Sequence, residues 1–138
     1  MSRIVLIEDD EGIAELLSFN LEWAGHQVLV ARDGAGGLTL AQTSAPDVVL
    51  LDLDLRVPGP DGLEVGRRLQ RSGSTPVITL TSREGDQLDA VMRSALGAYD
   101  YVPKPFSVRD LLARIASVVQ PLAASESSRG RMRADVSA

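Results

Sequence analysis

Apolar residues in this chain fall into two alternating kinds of pattern. Ile4–Ile7 and Val48–Leu51 are short continuous runs without polar alternation, as expected of strands covered on both faces. Val28–Ala31, Val77–Leu80 and Tyr99–Val102 read as three further short strands. Between them, apolar residues recur at helical spacing. Ile13, Leu16, Leu17, Leu21 and Ala24 trace a first helix, with Asp10 as its cap and Gly25 as its stop. A weaker second helix covers Ala35–Thr43 after the Asp33-Gly34 turn, and its Gly36-Gly37 pair costs about 1 kcal/mol per residue against Ala. A third spans Leu63–Arg71, with Leu63, Gly66 and Leu69-Gln70 on its inner side. Leu88, Val91, Met92, Ala95 and Leu96 mark a fourth, closed by Gly97. Leu111, Leu112, Ile115, Val118 and Val119 mark a fifth, opened by a Ser107/Asp110 capping box and ended by Pro121. Trp23 reads as packing near the end of the first helix. Strict alternation of five strands with five helices predicts an α/β fold: a doubly wound, five-stranded parallel sheet flanked by five helices, flavodoxin-like.

Composition narrows the class. The 138 residues hold one compact domain, residues 1–120, and a remainder, 121–138, with no apolar period, which reads as a disordered tail or linker. The formal charge of −5 is unevenly placed, since the segment beyond Pro121 carries three Arg against one Glu and one Asp. An acidic globule disfavours nucleic-acid binding by this segment itself. The absence of Cys excludes a disulfide framework, a thiolate metal site and a cysteine nucleophile. No apolar stretch spans a bilayer and the N-terminus runs into acids, so no membrane association and a cytoplasmic setting are expected. The single His26 follows a turn and has no second His or Cys beside it.

Four of the strand exits carry a chemically useful group: Glu8-Asp9-Asp10, Asp52 or Asp54, Thr81, and Lys104. In a parallel sheet these exits share one edge, where ligands of open α/β sheets bind. Converging carboxylates repel one another unless a cation compensates, and a hard ion such as Mg²⁺ suits them. A lysine and a hydroxyl facing that ion complete a receptor for a phosphoryl group, which a central carboxylate can accept as an acyl phosphate. Each feature alone has a plainer explanation: a helix cap, a turn aspartate, a surface lysine. Their joint occurrence at four strand exits is what points to chemistry.

The stretches IVLIEDDE, PDVVLLD, PGPDG, VITLTS, DYVPKPF and SVRDLLARI, in that order, resemble the receiver (CheY-like) domain of two-component response regulators from Ile4 to about Val119. The resemblance implies a signalling phosphoacceptor rather than an enzyme, taking its phosphoryl group from a sensor histidine kinase with Mg²⁺ as cofactor and assisting its own phosphotransfer and dephosphorylation. It implies Glu8 and Asp9 as the acidic pair, Asp9 as a direct Mg²⁺ ligand, Thr81 as the switching hydroxyl, Lys104 as its lysine ahead of a cis Lys-Pro bond, and Tyr101 as the aromatic switch residue. The switched surface would be the fourth helix, fifth strand and fifth helix.

One spacing departs from the family pattern. Counted from Pro46-Asp47 the phosphoacceptor is Asp52, whereas counted back from Pro58–Gly62 it is Asp54. Loops accept extra residues more readily than central strands, which favours Asp52, with the Asp54 carbonyl as the backbone metal ligand. The alternative is a haloacid-dehalogenase-type phosphatase using the Asp52/Asp54 pair, although its second acidic pair should follow the lysine rather than precede the strand. The C-terminal motifs are similar to OmpR/PhoB-type regulators, which implies transcription regulation and a homodimer through the switched surface. Of that dimer's charged pairs Asp100 and Arg114 remain, while Ala90, Ala95 and Tyr99 stand where charged partners are usual.

Overall fold

Five parallel strands form one sheet: β1 (Arg3–Ile7), β2 (Gln27–Ala31), β3 (Val48–Asp52), β4 (Val77–Thr81) and β5 (Asp100–Pro103), in the order β2-β1-β3-β4-β5. Three helices, α1 (Glu11–Trp23), α2 (Gly34–Ser44) and α3 (Gly62–Ser72), and a C-terminal helix (Val108–Arg131) flank it. This is a computed structural model, and it describes residues 2–73, 75–82 and 97–131, with side chains through residue 119. The predicted fourth helix, Leu88–Leu96, lies outside the described residues.

The continuous apolar runs serve both faces of the sheet because successive side chains of a strand point to opposite sides. Ile4, Leu6, Val48, Leu50, Ile78 and Leu80 pack with Leu17 and Leu21 of α1 and with Leu111 and Ile115 of the C-terminal helix. Val5, Ile7, Val49, Leu51 and Val77 pack on the other face with Val65 and Leu69 of α3. Strand register is unbroken from Ile4↔Val48 to Ile7↔Leu51 and from Val49↔Val77 to Asp52↔Leu80. The chain leaves β1 for β2 on one side and returns to β3 on the other. That reversal opens the crevice beside the β1 and β3 exits.

Helix starts follow the cap chemistry. Asp10, Asp33 and Asp61 each accept a bond from the amide three residues on, at Ile13 (2.9 Å), Gly36 (2.7 Å) and Glu64 (2.9 Å). Ser107 Oγ accepts from the Asp110 amide at 3.2 Å, as the capping box predicts. Gly25 takes φ +98°, a left-handed conformation that an L side chain resists, directly after α1.

Four expectations need correction. Trp23 is 84% exposed and stacks on Phe19 at 6.4 Å, and Leu16 is half exposed, so both lie on the outer face of α1. On α3 the buried inner positions are Val65, Gly66 and Leu69, while Gln70 faces solvent. β5 begins at Asp100 and ends at Pro103, one residue later than expected, because its register is set by Thr79↔Tyr101. The last helix does not stop at Pro121 but runs to Arg131. A proline forfeits one helical bond, yet Leu122-Ala123-Ala124 beyond it are strong helix formers.

Candidate functional site

The strand exits converge on a cavity of ≈ 360 Å³ lined by Glu8, Asp9, Asp10, Ile13, Asp52, Asp54, Arg56, Ser82 and Lys104. β1 delivers Glu8 and Asp9, because the Glu8 amide still bonds Ala31 O at 3.0 Å and carries the sheet one residue past the strand. β3 delivers Asp52 as its last residue, 2% exposed. β4 ends at Thr81, and the Lys104 amide bonds Thr81 O at 2.8 Å, which fixes the lysine over the β4 exit. The Lys104-Pro105 bond is cis.

Lys104 is the centre of charge. Its Nζ lies 2.8 Å from Asp52 Oδ1 and 3.6 Å from Asp54 Oδ2. Burial alone would pull this ammonium down. The bond to Asp52 and the charges of Asp52, Glu8 and Asp54 outweigh burial, so its pKa stands above the usual lysine value. Asp52 Oδ1 also accepts the Asp54 amide at 2.8 Å, a tight turn that starts directly at the end of the strand. Asp54 itself stands beyond β3, and its Oδ2 accepts the Ser82 amide at 2.9 Å and the Ser82 hydroxyl at 3.0 Å. β3 thus ends at Asp52 with its register to β1 and β4 unbroken, and Asp54 belongs to the loop that follows.

The acids of β1 are held differently from one another. Asp9 Oδ2 accepts the Arg56 amide at 3.0 Å, and its carbonyl accepts Arg32 Nη2 at 2.9 Å. Glu8 is 1% exposed; its Oε2 accepts the Asp10 amide at 3.1 Å, while Oε1 is buried without a hydrogen-bond partner. Burial first, then the neighbouring Asp52 carboxylate, push the Glu8 carboxyl up to about 8. Glu8, Asp9 and Asp52 each offer one carboxylate oxygen within 4.8 Å of the others. An orphaned buried oxygen inside an all-oxygen acidic set fits a hard divalent cation such as Mg²⁺.

The structure thus brings Glu8, Asp9, Asp52, Asp54 and Lys104 together. Thr81 is 2% exposed and ends β4 beside them, but the residue of that strand exit that lines the cavity is Ser82. Tyr101 is set apart from the acids, half-buried against the core between the sheet and α3. Ser82 and Arg56 escaped the sequence reading. Ser82 was visible as the second hydroxyl of Thr81-Ser82, whereas Arg56 has no local signal in a loop of irregular length.

A family model described as the response regulator receiver domain matches residues 4–116. Among solved structures, the chain is similar to the receiver domain of Francisella response regulator 1452, at 28% identity and TM-score 0.81, covering 88% of this chain and 99% of that one. It is similar to Vibrio cholerae chemotaxis protein CheY4, at 29% identity and TM-score 0.76, covering 86% and 99%. It is also similar to the BeF3-activated N-terminal receiver domain of Klebsiella pneumoniae RstA, at 32% identity and TM-score 0.74, covering 82% and 94%. None of these findings supports the phosphatase alternative.

Proposed function

This chain belongs to the response regulator receiver family, and on that premise we propose that Asp52 is its phosphoacceptor, served by Lys104, Thr81 and a Mg²⁺ ion held by Glu8, Asp9 and Asp52. The chain is a phosphorelay receiver, a signalling phosphoacceptor. The observation that carries the assignment to Asp52 is its seat: the last residue of the central strand, 2.8 Å from Lys104 and beside the β1 acids.

An Asp52 carboxylate oxygen forms the new bond to phosphorus while the phosphorus–nitrogen bond to the histidine of a sensor kinase breaks, and the imidazole nitrogen leaves with the electron pair. Lys104 neutralises charge on the acyl phosphate, and the Thr81 hydroxyl donates to it. A bound Mg²⁺, with the Asp54 carbonyl as a further ligand, would supply charge neutralisation at the transferring oxygens. The same groups then assist hydrolysis of the acyl phosphate, which resets the receiver. Thr81 and Tyr101 fall on one sheet face, since Tyr101 pairs with Thr79 two residues before Thr81. That arrangement supports Tyr101 following Thr81 when the site is charged, altering the surface around β5 and the C-terminal helix. The DYVPKPFSVRDLLARI motif supports an OmpR/PhoB-type regulator, with 1–120 as receiver and 121–138 as a tail or linker, and a cytoplasmic setting fits that reading.

Mass spectrometry of the full chain after acetyl phosphate and Mg²⁺ tests the assignment. A Mg²⁺-dependent phosphoryl adduct is expected on wild type and on Asp54→Asn but not on Asp52→Asn. Loss only in Asp54→Asn would move the acceptor to Asp54. No adduct on wild type, with rapid turnover of a phosphomonoester, would overturn the receiver chemistry.

A further inference from the structure

The Asp54 carboxylate has no place in the transfer just described, yet it is held by the site's own donors. Its Oδ2 takes both the amide and the hydroxyl of Ser82, at 2.9 and 3.0 Å, and lies 3.6 Å from Lys104 Nζ. Lys104 holds the Asp52 oxygen at 2.8 Å, and the Asp54 amide closes on that same oxygen at 2.8 Å. The two carboxylates therefore lie side by side against one set of donors. Of the two, Asp52 is fully buried, whereas the Asp54 side chain is 20% exposed.

A phosphoryl group on Asp52 would bring about two negative charges and three acceptor oxygens into this space. It needs an ammonium and N–H or O–H donors within hydrogen-bond reach. Lys104 and Ser82 are such donors, both line the cavity, and both are engaged by Asp54. Two groups of like charge cannot share them without repulsion.

We propose that Asp54 is a built-in stand-in for the phosphoryl group: its carboxylate occupies the Ser82 and Lys104 donors in the resting chain and must release them before the phosphorylated site can form. The proposal rests on Asp52 being the acceptor. Asp54 forms and breaks no covalent bond and is a positioning residue. The step it opposes is attack of an Asp52 oxygen on phosphorus, with the donor's leaving group departing with the bonding pair.

Removing the Asp54 charge should therefore ease phosphorylation. The full chain is treated with acetyl phosphate at saturating Mg²⁺, so that a weakened metal site does not mask the effect, and adduct growth is followed by intact mass. Beryllofluoride, a phosphoryl mimic, is titrated in parallel. Asp54→Ala is expected to phosphorylate faster and to bind beryllofluoride more tightly, each by about tenfold, the scale of one exchanged charge-assisted bond. Asp54→Asn, which keeps an acceptor oxygen but loses the charge, should fall between Asp54→Ala and wild type. The Ser82 amide proton should resonate downfield in wild type and move upfield in Asp54→Ala, showing that the carboxylate was its partner. Rates and affinities equal to or below wild type, with the adduct still on Asp52, would overturn the stand-in alone. An adduct located on Asp54 in wild type would overturn the acceptor assignment beneath it.

Discussion

At the scale of single residues, the acids that follow Ile7 divide into roles the sequence does not separate. Asp10 caps α1, Asp9 is half-buried at the cavity, and Glu8 is enclosed with one oxygen unpartnered. Spacing put all three at the strand exit, but only the packed structure decides which one is desolvated. The Glu8 carboxyl, pushed up to about 8 from an unfolded value near 4.5, binds its proton more tightly when folded. Its contribution to stability is therefore full below about 4.5 and is lost as pH rises through about 8. Thermal unfolding without Mg²⁺ should show the melting temperature falling between about pH 4.5 and 8 and levelling above, and Glu8→Gln should flatten that fall. A fall unchanged in Glu8→Gln would place its cause elsewhere. Asp52 and Lys104 were legible because strand ends and Pro punctuation are local. Ser82 was not, because which of two adjacent hydroxyls reaches the cavity depends on where the β4–β5 ladder ends.

At the scale of elements, strand positions and caps were close to their observed places, since buried runs and Asp caps are short-range signals. The Gly36-Gly37 pair of α2 reads as a helix-weakening feature, and the structure gives the glycines of α2 and α3 a packing purpose. A Cβ on Gly62 would stand 2.5 Å from Leu53 Cα and 2.6 Å from Leu53 O, a collision with backbone that cannot be relieved by a rotamer. A Cβ on Gly37 would instead meet the side chain of Ile7, not backbone. Close approach of α3 to the end of β3 thus seats the turn that carries Asp54. Gly62→Ala is expected to lower the free energy of unfolding by about 2 kcal/mol in urea titrations, within the range for overpacking. Gly73→Ala, with nothing within 4 Å and an extended φ of −177°, should leave it within about 0.5 kcal/mol. A Gly62→Ala variant as stable as wild type or more so would mean that helix propensity, not contact, governs Gly62. The second apolar stripe of α1 was misread for a related reason: periodicity marks apolar positions but does not say that a helix has two apolar faces.

For the whole molecule, the question is what the β5 and C-terminal-helix surface does once the site is charged. Arg114 bonds Asp110 and Asp100 within the chain, each at 2.9 Å, so its guanidinium is committed to its own protomer. The homodimer that the family resemblance suggests would have to exchange this intramolecular pair for one between chains. The sedimentation coefficient is therefore expected to stay unchanged on addition of beryllofluoride and Mg²⁺ at micromolar protein. A rise that Arg114→Ala abolishes would establish the dimer instead. Topology and the meeting of all strand exits followed from the sequence because βαβ alternation leaves few arrangements. The path of the last helix beyond Pro121 did not, since a local breaker was outweighed by the helix formers after it.

The outward face of α1 has an optical consequence. Trp23 is the chain's one indole, and it already stands in water, 84% exposed. Unfolding takes almost no surroundings away from it, so its emission is a poor gauge of whether the sheet is intact. What it reports instead is local: any body that settles over Phe19 and Trp23 would shift the emission to shorter wavelength while the fold beneath stayed the same.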